Sequence, residues 1–177
     1  MNSENENRSE AVNTRIIDFL LELPLFDSLH GEELGIVARH IVPFKLQENT
    51  FLFKEGERGD YVCFVLKGNV NIYKRSEKGR NMLIATLPKG STIGEMAIID
   101  ETSRSATVKA PEEVHLLILS RKGFDEILEN HPGLGIKILK GIARLLSLNM
   151  RRTSSLLADC VLKLKEGKNS PKPPPQT

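Results

Sequence analysis

Between Phe44 and Leu119, short runs rich in β-branched and aromatic residues are broken by turn chemistry at close intervals. That pattern confines the middle of the chain to a small sandwich or barrel. Phe51-Leu52-Phe53 leads into Glu55-Gly56-Glu57-Arg58-Gly59-Asp60, a double-glycine turn. Tyr61 to Leu66 is followed by the turn Lys67-Gly68-Asn69, after which Val70, Ile72 and Tyr73 alternate with Asn71 and Lys74. Ser76-Glu77-Lys78-Gly79 offers a glycine for positive φ and reads as a hairpin turn. Met82 to Leu87, Thr107 to Ala110 and Val114 to Leu119 supply the remaining strands, with Pro88-Lys89-Gly90 as a further turn.

The flanks have a different period. From Thr14 the apolar residues Ile16, Ile17, Phe19, Leu20 and Leu23 fall at helical spacing, and Pro24 closes the segment. A second helix after Gly31 carries Leu34, Ile36, Val37 and Ile41, with Glu32 and Glu33 in its first turn, and Pro43 is expected to end it. Ser120 is placed to cap a helix from Arg121 to Glu129. His131-Pro132-Gly133 then breaks the chain before one long helix, Leu134 to about Lys165. The expectation is a mainly β fold with flanking helices. It comprises an antiparallel, jelly-roll-like β-roll at 43–119, helices at 14–42 and 120–165, a disordered polar segment at 1–13 and a proline-rich tail at 166–177.

Composition serves mainly to exclude. At 177 residues the chain fits one domain with extensions. A net charge of +2 is too balanced to imply nucleic acid or a membrane as partner. Seven basic against two acidic side chains from Arg144 onward read as a solvated helix face and tail. Cys63 and Cys160 make neither a disulfide framework nor a zinc site, and His30, His40, His115 and His131 lack metal-ligand spacing. No metal is therefore expected. The polar opening is no signal peptide, and no apolar run approaches the roughly 20 residues of a spanning helix, so the expected location is the cytoplasm. Lys89-Gly90-Ser91-Thr92 has the letters of a P-loop in the wrong order.

The chemistry concentrates in Gly94-Glu95-Met96-Ala97 and, after a short loop, Arg104-Ser105-Ala106-Thr107. Gly94 permits close backbone approach, and a short helical turn beginning at Glu95 presents free N–H groups to an anion. Ala97 leaves that approach unobstructed, and Arg104 can bring a guanidinium to the same anion. Glu95 is a poor phosphate ligand but a good acceptor for a sugar hydroxyl, or a partner for the arginine.

These residues resemble the phosphate-binding cassette of the cyclic nucleotide-binding domain family. The resemblance runs from about Leu23 to the long helix and includes Phe53-x-Glu55-Gly56-x-x-Gly59-Asp60 and the strand Phe64 to Val70. It implies that Glu95 accepts a ribose 2′-hydroxyl, and that the N–H groups around Met96 and Ala97 hold a cyclic phosphate together with Arg104. It also implies that Ser105 lies near the phosphate and base, and that Val70 and Ile84 line the apolar floor. The implied ligand is cAMP, or cGMP. Two departures stand out: Ile93 replaces a more usual phenylalanine, and no aromatic residue after Phe124 can cap the base.

Leu139, Ile142, Leu146, Asn149, Thr153, Leu156 and Cys160 follow the spacing of a two-helix seam, so a homodimer through the long helix is expected. Asn149 and Thr153 read the base, set the register of that seam or simply face solvent. No helix-turn-helix, kinase, channel or cyclase domain is recognisable, so the chain reads as a sensor acting on an unidentified effector, with no catalysis of its own. Two rivals are a nucleotide-independent scaffold of the same fold and, more remotely, a cupin-like metal enzyme.

Overall fold

The computed structural model describes the backbone of residues 2–168 and the side chains of residues 12–163. Eight strands form two antiparallel sheets. The strands are β1 (Ile41–Leu46), β2 (Phe51–Phe53), β3 (Tyr61–Lys67), β4 (Val70–Arg75), β5 (Asn81–Leu87), β6 (Thr92–Ile93), β7 (Thr107–Lys109) and β8 (Val114–Ser120). One sheet has the order β1-β8-β3-β6 and the other β2-β7-β4-β5. The fold is the expected β-roll with flanking helices.

Strands β3 and β8 hold the two halves of the molecule together because both of their faces are buried. Cys63, Val65, Val114 and Leu116 point between the sheets, where they meet Phe53, Val70, Ile93 and Val108. Their neighbours Val62, Phe64, Leu117 and Leu119 point the other way, onto the helices. The continuous apolar run from Val62 to Val65 follows from that position.

Helix α1 (Asn2–Leu21) lays Ile16, Phe19 and Leu20 on this second core. It begins well before Thr14. Once the packed turns exist, each further turn adds hydrogen bonds at little cost, and neither proline nor glycine stands in residues 2–13 to stop it. A 3₁₀ turn at Pro24–Phe26 follows, with Phe26 edge-on to Phe64 at 5.5 Å between ring centroids. Helix α2 (Glu32–Arg39) is shorter than expected: Ile41 and Pro43 lie in β1. Pairing from Ile41↔Leu119 to Leu46↔Val114 displaces the next helical turn. Pro43 is tolerated because β1 is an edge strand.

Ser120 caps α4 (Arg121–Asn130), its Oγ accepting the Gly123 N–H at 3.1 Å. Only His131 separates α4 from α5 (Pro132–Lys168), which starts two residues earlier than expected, with proline in its first turn. It runs through the first residues assigned to the tail; the rest of that proline-rich stretch, from 169 on, lies outside the described residues. Gly141 lets α5 meet the 3₁₀ turn, since a Cβ there would collide with the Leu25 carbonyl. The first part of the expected dimer seam is therefore used within the chain. Ile142 is buried and Leu146 packs against the same core, whereas Leu148, Met150, Leu156 and Leu157 are exposed. No helix among the described residues is long and apolar enough to cross a membrane.

Candidate functional site

Helix α3 (Glu95–Asp100) is a single turn and a half, entered through Gly94 at φ +82°. A Cβ on Gly94 would strike Arg104 Nη1, and one on Gly59 would strike Ala97 Cβ, so both glycines admit the arginine and α3 to the same small volume. Arg104 is almost fully buried, at 3% exposure. Its guanidinium carbon lies 4.1 Å from the Phe53 ring centre and 4.3 Å from that of Tyr61, packed against two rings that stand edge to face with each other. Nη2 donates to the Tyr61 carbonyl at 2.9 Å and Nη1 to the Gly94 carbonyl at 3.3 Å. Nε has no partner. A buried cation with an unspent donor is costly to leave without an acceptor, and it points to an anion as missing partner.

Glu95 is buried beside it. Burial pushes its carboxyl above the usual carboxylate range, opposed by its own N–H, by the Arg104 charge and by the Gly94 N–H. No ion pair within 4 Å joins Glu95 to Arg104 among the described residues, so the bland reading of this pair as a structural salt bridge lacks its contact.

A cavity of about 180 Å³ opens here. Gly94, Glu95, Met96, Ala97, Arg104, Ser105 and Asn149 all line it, which brings together seven of the nine residues anticipated from the sequence. The other two are elsewhere. Val70 is fully buried in the inter-sheet core, and Ile84 is 59% exposed. The floor is instead Ile72, Leu87 and Val108. The reason is a bulge: Ile72 pairs with Ala85 but Tyr73 with Leu83, so Ile84 is the unpaired extra residue and leaves the inward face. Asn149 reaches the cavity from α5 although it is largely exposed, while the Thr153 hydroxyl is turned back onto the Asn149 carbonyl at 2.9 Å.

Arg121 was not anticipated at all. The first residue of α4, it donates from Nη2 to the carbonyls of Gly59, at 3.1 Å, and Ala97, while Nη1 lies 3.1 Å from Glu101 Oε1. Its own N–H donates to the Asp60 carbonyl at 2.7 Å. One side chain thus straps α3, the double-glycine turn and the start of α4 together. Among the described residues no three His, Cys, Asp or Glu side chains converge as a metal site.

Known proteins are similar to this chain in fold and in sequence. The domain with TM-score 0.75 and 28% identity is a cyclic nucleotide-binding domain from Methylobacillus flagellatus, the match covering 83% of each chain. The catabolite activator protein of Thermus thermophilus superposes with TM-score 0.66 and 27% identity, over 81% of this chain and 63% of that one. In sequence, the chain is 24% identical over 144 residues to a CRP-like cAMP-activated global transcriptional regulator of Mycobacterium tuberculosis, covering 81% of this chain and 62% of the regulator. It is 31% identical over 110 residues to the cAMP-dependent protein kinase regulatory subunit of Yarrowia lipolytica, covering 62% of this chain and 28% of that subunit. The family model of the cyclic nucleotide-binding domain matches residues 43–131, which hold both sheets' site residues, α3 and Arg104. With glycine-admitted α3, the buried arginine and the matched span in agreement, the chain belongs to the cyclic nucleotide-binding domain family.

Proposed function

We propose that this domain binds a cyclic purine nucleotide, cAMP in preference to cGMP, and regulates a partner protein through movement of α4 and α5. The observation that carries the reading is Arg104, buried against two aromatic rings at the wall of the cavity with Nε unpaired. The cyclic phosphate takes Arg104 and the N–H groups of α3 at Met96 and Ala97. Glu95 accepts the ribose 2′-hydroxyl, which compensates a carboxylate that burial otherwise disfavours. Ile72 and Leu87 support the sugar and base, Ser105 stands beside the phosphate, and the Asn149 carboxamide offers a donor and an acceptor to the base edge. The preference for cAMP rests on the cAMP-activated and cAMP-dependent relatives and on that carboxamide.

The output follows from what touches the site. Asn149 belongs to α5 and Arg121 to α4, so both helices meet the cavity or its walls. A nucleotide shifts their packing to the extent that it binds one arrangement more tightly than another. The exposed apolar residues of α5 from Leu148 onward are the surface for a homodimer. The function is regulation by contact in the cytoplasm, on an effector still to be identified, without a reaction catalysed by this chain.

Calorimetric titration with cAMP and cGMP tests the reading. Binding of cAMP is expected to be the tighter. Arg104→Ala is expected to weaken it at least tenfold, since each hydrogen bond to a charged group contributes about 1.5–3 kcal/mol. Absence of heat and of any thermal shift at millimolar cAMP and cGMP would leave the nucleotide-independent scaffold as the better account.

A further inference from the structure

The outer face of the sheet β2-β7-β4-β5 carries a second feature, turned away from the nucleotide cavity. Val108 and Ile72 line the nucleotide cavity, while their chain neighbours Thr107, Lys109 and Tyr73 line two adjoining hollows of about 280 and 200 Å³ on the opposite face. The hollows share Asn81 and Thr107, so they form one groove across the sheet. An irregularity in β2 supplies its aromatic wall. The register between β2 and β7 shifts between Phe51 and Phe53, so Phe53 turns inward against Arg104 and Phe51 outward into the groove.

The groove is lined by Lys54, Arg75 and Lys109, and none of the three has a carboxylate within 4 Å among the described residues. Lys54 and Lys109 converge on the exposed Phe51 ring, with their Nζ atoms 5.1 and 5.7 Å from its centre. The one acid in the lining, Glu55, is fully engaged: Oε1 accepts Lys74 Nζ at 2.6 Å and Oε2 the Arg75 N–H at 3.0 Å. Glu57 is likewise turned onto the Lys54 N–H at 2.9 Å. Two cations over an exposed aromatic ring, with Arg75 in the adjoining hollow, are what an acidic partner with an apolar anchor matches.

We propose that this groove is a docking site for an acidic peptide segment of a partner protein, its carboxylates meeting Lys54, Arg75 and Lys109 and one aromatic or aliphatic side chain lying on Phe51. Nucleic acid suits it less well. A phosphate backbone carries unbroken negative charge, whereas here three cations stand in a patch with the fixed Glu55 carboxylate among them, which spaced peptide carboxylates can skip. The groove needs no occupied nucleotide site, so this proposal stands independently of the function argued above.

A displayed library of random dodecapeptides, selected against the full purified chain, tests it. Enriched peptides would be synthesised with a fluorescent label and titrated by anisotropy at low and physiological salt. The expected result is a set of peptides rich in Asp and Glu around one apolar residue, bound more weakly as salt rises. Their affinity should fall at least tenfold in Lys54→Gln/Lys109→Gln and in Phe51→Ser, with cAMP titration and thermal midpoint reporting that each variant is folded. Arg75→Gln, at an exposed side chain, repeats the test should either variant unfold. The proposal fails if nothing is enriched, if the enriched peptides lack acids, or if the folded variants bind them within twofold of the parent chain. Displacement of the peptides by a twelve-residue oligo-dT at equal charge overturns it in favour of nucleic acid.

Discussion

Gly59→Ala isolates the packing that brings α3 to Arg104. The new methyl would overlap Ala97 Cβ and stand 3.1 Å from Arg104 Nε and 3.2 Å from its Cδ, against roughly 3.5–4.0 Å for an unstrained carbon contact. Ala97 Cβ sits one bond from the backbone, and Arg104 is packed against Phe53 and Tyr61 and tied to the Tyr61 and Gly94 carbonyls, so neither yields readily by changing rotamer. Relief requires α3 or the double-glycine turn to move. Over-packing of this kind costs about 1–3 kcal/mol. Gly59 does not occupy the left-handed region, so alanine adopts its backbone freely and recovers about 0.4–1 kcal/mol from the unfolded chain. The net loss is about 1–2 kcal/mol, a fall of roughly 2–8 °C in Tm. Displacing the α3 N–H groups from the phosphate should add a loss of about tenfold to a hundredfold in cAMP affinity by calorimetry. Gly35→Ala is the control: nothing lies within 4 Å of its Cβ, and a helical alanine there should stabilise by about 0.5–1 kcal/mol. Gly59→Ala that loses stability yet binds cAMP within twofold of the parent would refute the role given to α3. Equal stability in the two variants would refute the packing argument itself.

Three further outcomes are expected. Burial pushes the Cys63 thiol up to about 12, whereas Cys160 is exposed, so a thiol reagent at pH 8 should titrate one cysteine in the native protein and the second only in denaturant; rapid reaction of both would count against this. The raised pKa of Glu95 means that its ionisation opposes folding: the stability associated with the protonated side chain is fully present below the unfolded value of ~4.3 and is lost as pH rises through the folded one. Ligand-free Glu95→Gln should therefore be more stable than the parent at pH 7 and lose that advantage in acid, while binding cAMP more weakly; parallel Tm profiles against pH would contradict it. Arg121→Ala should cost about 2–3 kcal/mol and speed amide exchange across α3 and the first turn of α4, with Arg121→Lys restoring little because a point charge cannot reach three acceptors at once; unchanged exchange would remove Arg121 as the strap.

What could be read from the sequence, and what could not, divides along a physical line. The residues proposed for the anion were legible because they are local: Gly94 to Ala97 are contiguous, and Arg104 follows a few residues on. The strands of the roll were legible wherever turn residues bounded them, and β1 and β6 were not, because β1 follows α2 after one residue and β6 has two residues. The floor was misplaced for a subtler reason. Alternation assigns Ile84 to a face only while register holds, and the bulge opposite Ile72 and Tyr73 shifts the inward positions to Ala85 and Leu87. The same kind of irregularity separates Phe51 from Phe53, sending one to each side of the sheet. Heptad spacing in α5 was real, but Ile142 and Leu146 are consumed by the chain's own core, and periodicity does not say whose core an apolar residue joins.

Arg121 marks the deeper limit. Its acceptors are the carbonyls of Gly59 and Ala97, and a carbonyl is present at every position of every sequence, so no residue type announces the bond. The same holds for Arg104, whose two satisfied donors both go to main-chain oxygens, at Gly94 and Tyr61. The motif implied the guanidinium as an anion partner, and the structure leaves its Nε, buried and unpaired, in need of something the chain does not itself supply. The residues that suggest a ligand, Asn149 on α5 among them, were thus legible from chemistry, and Arg121, which ties α3 to α4, was not, since it speaks to the backbone. A variant that alters the coupling while sparing the affinity should therefore be sought at Arg121, outside the cassette, where hydrogen exchange of α4 and calorimetry of cAMP can be compared on the same protein.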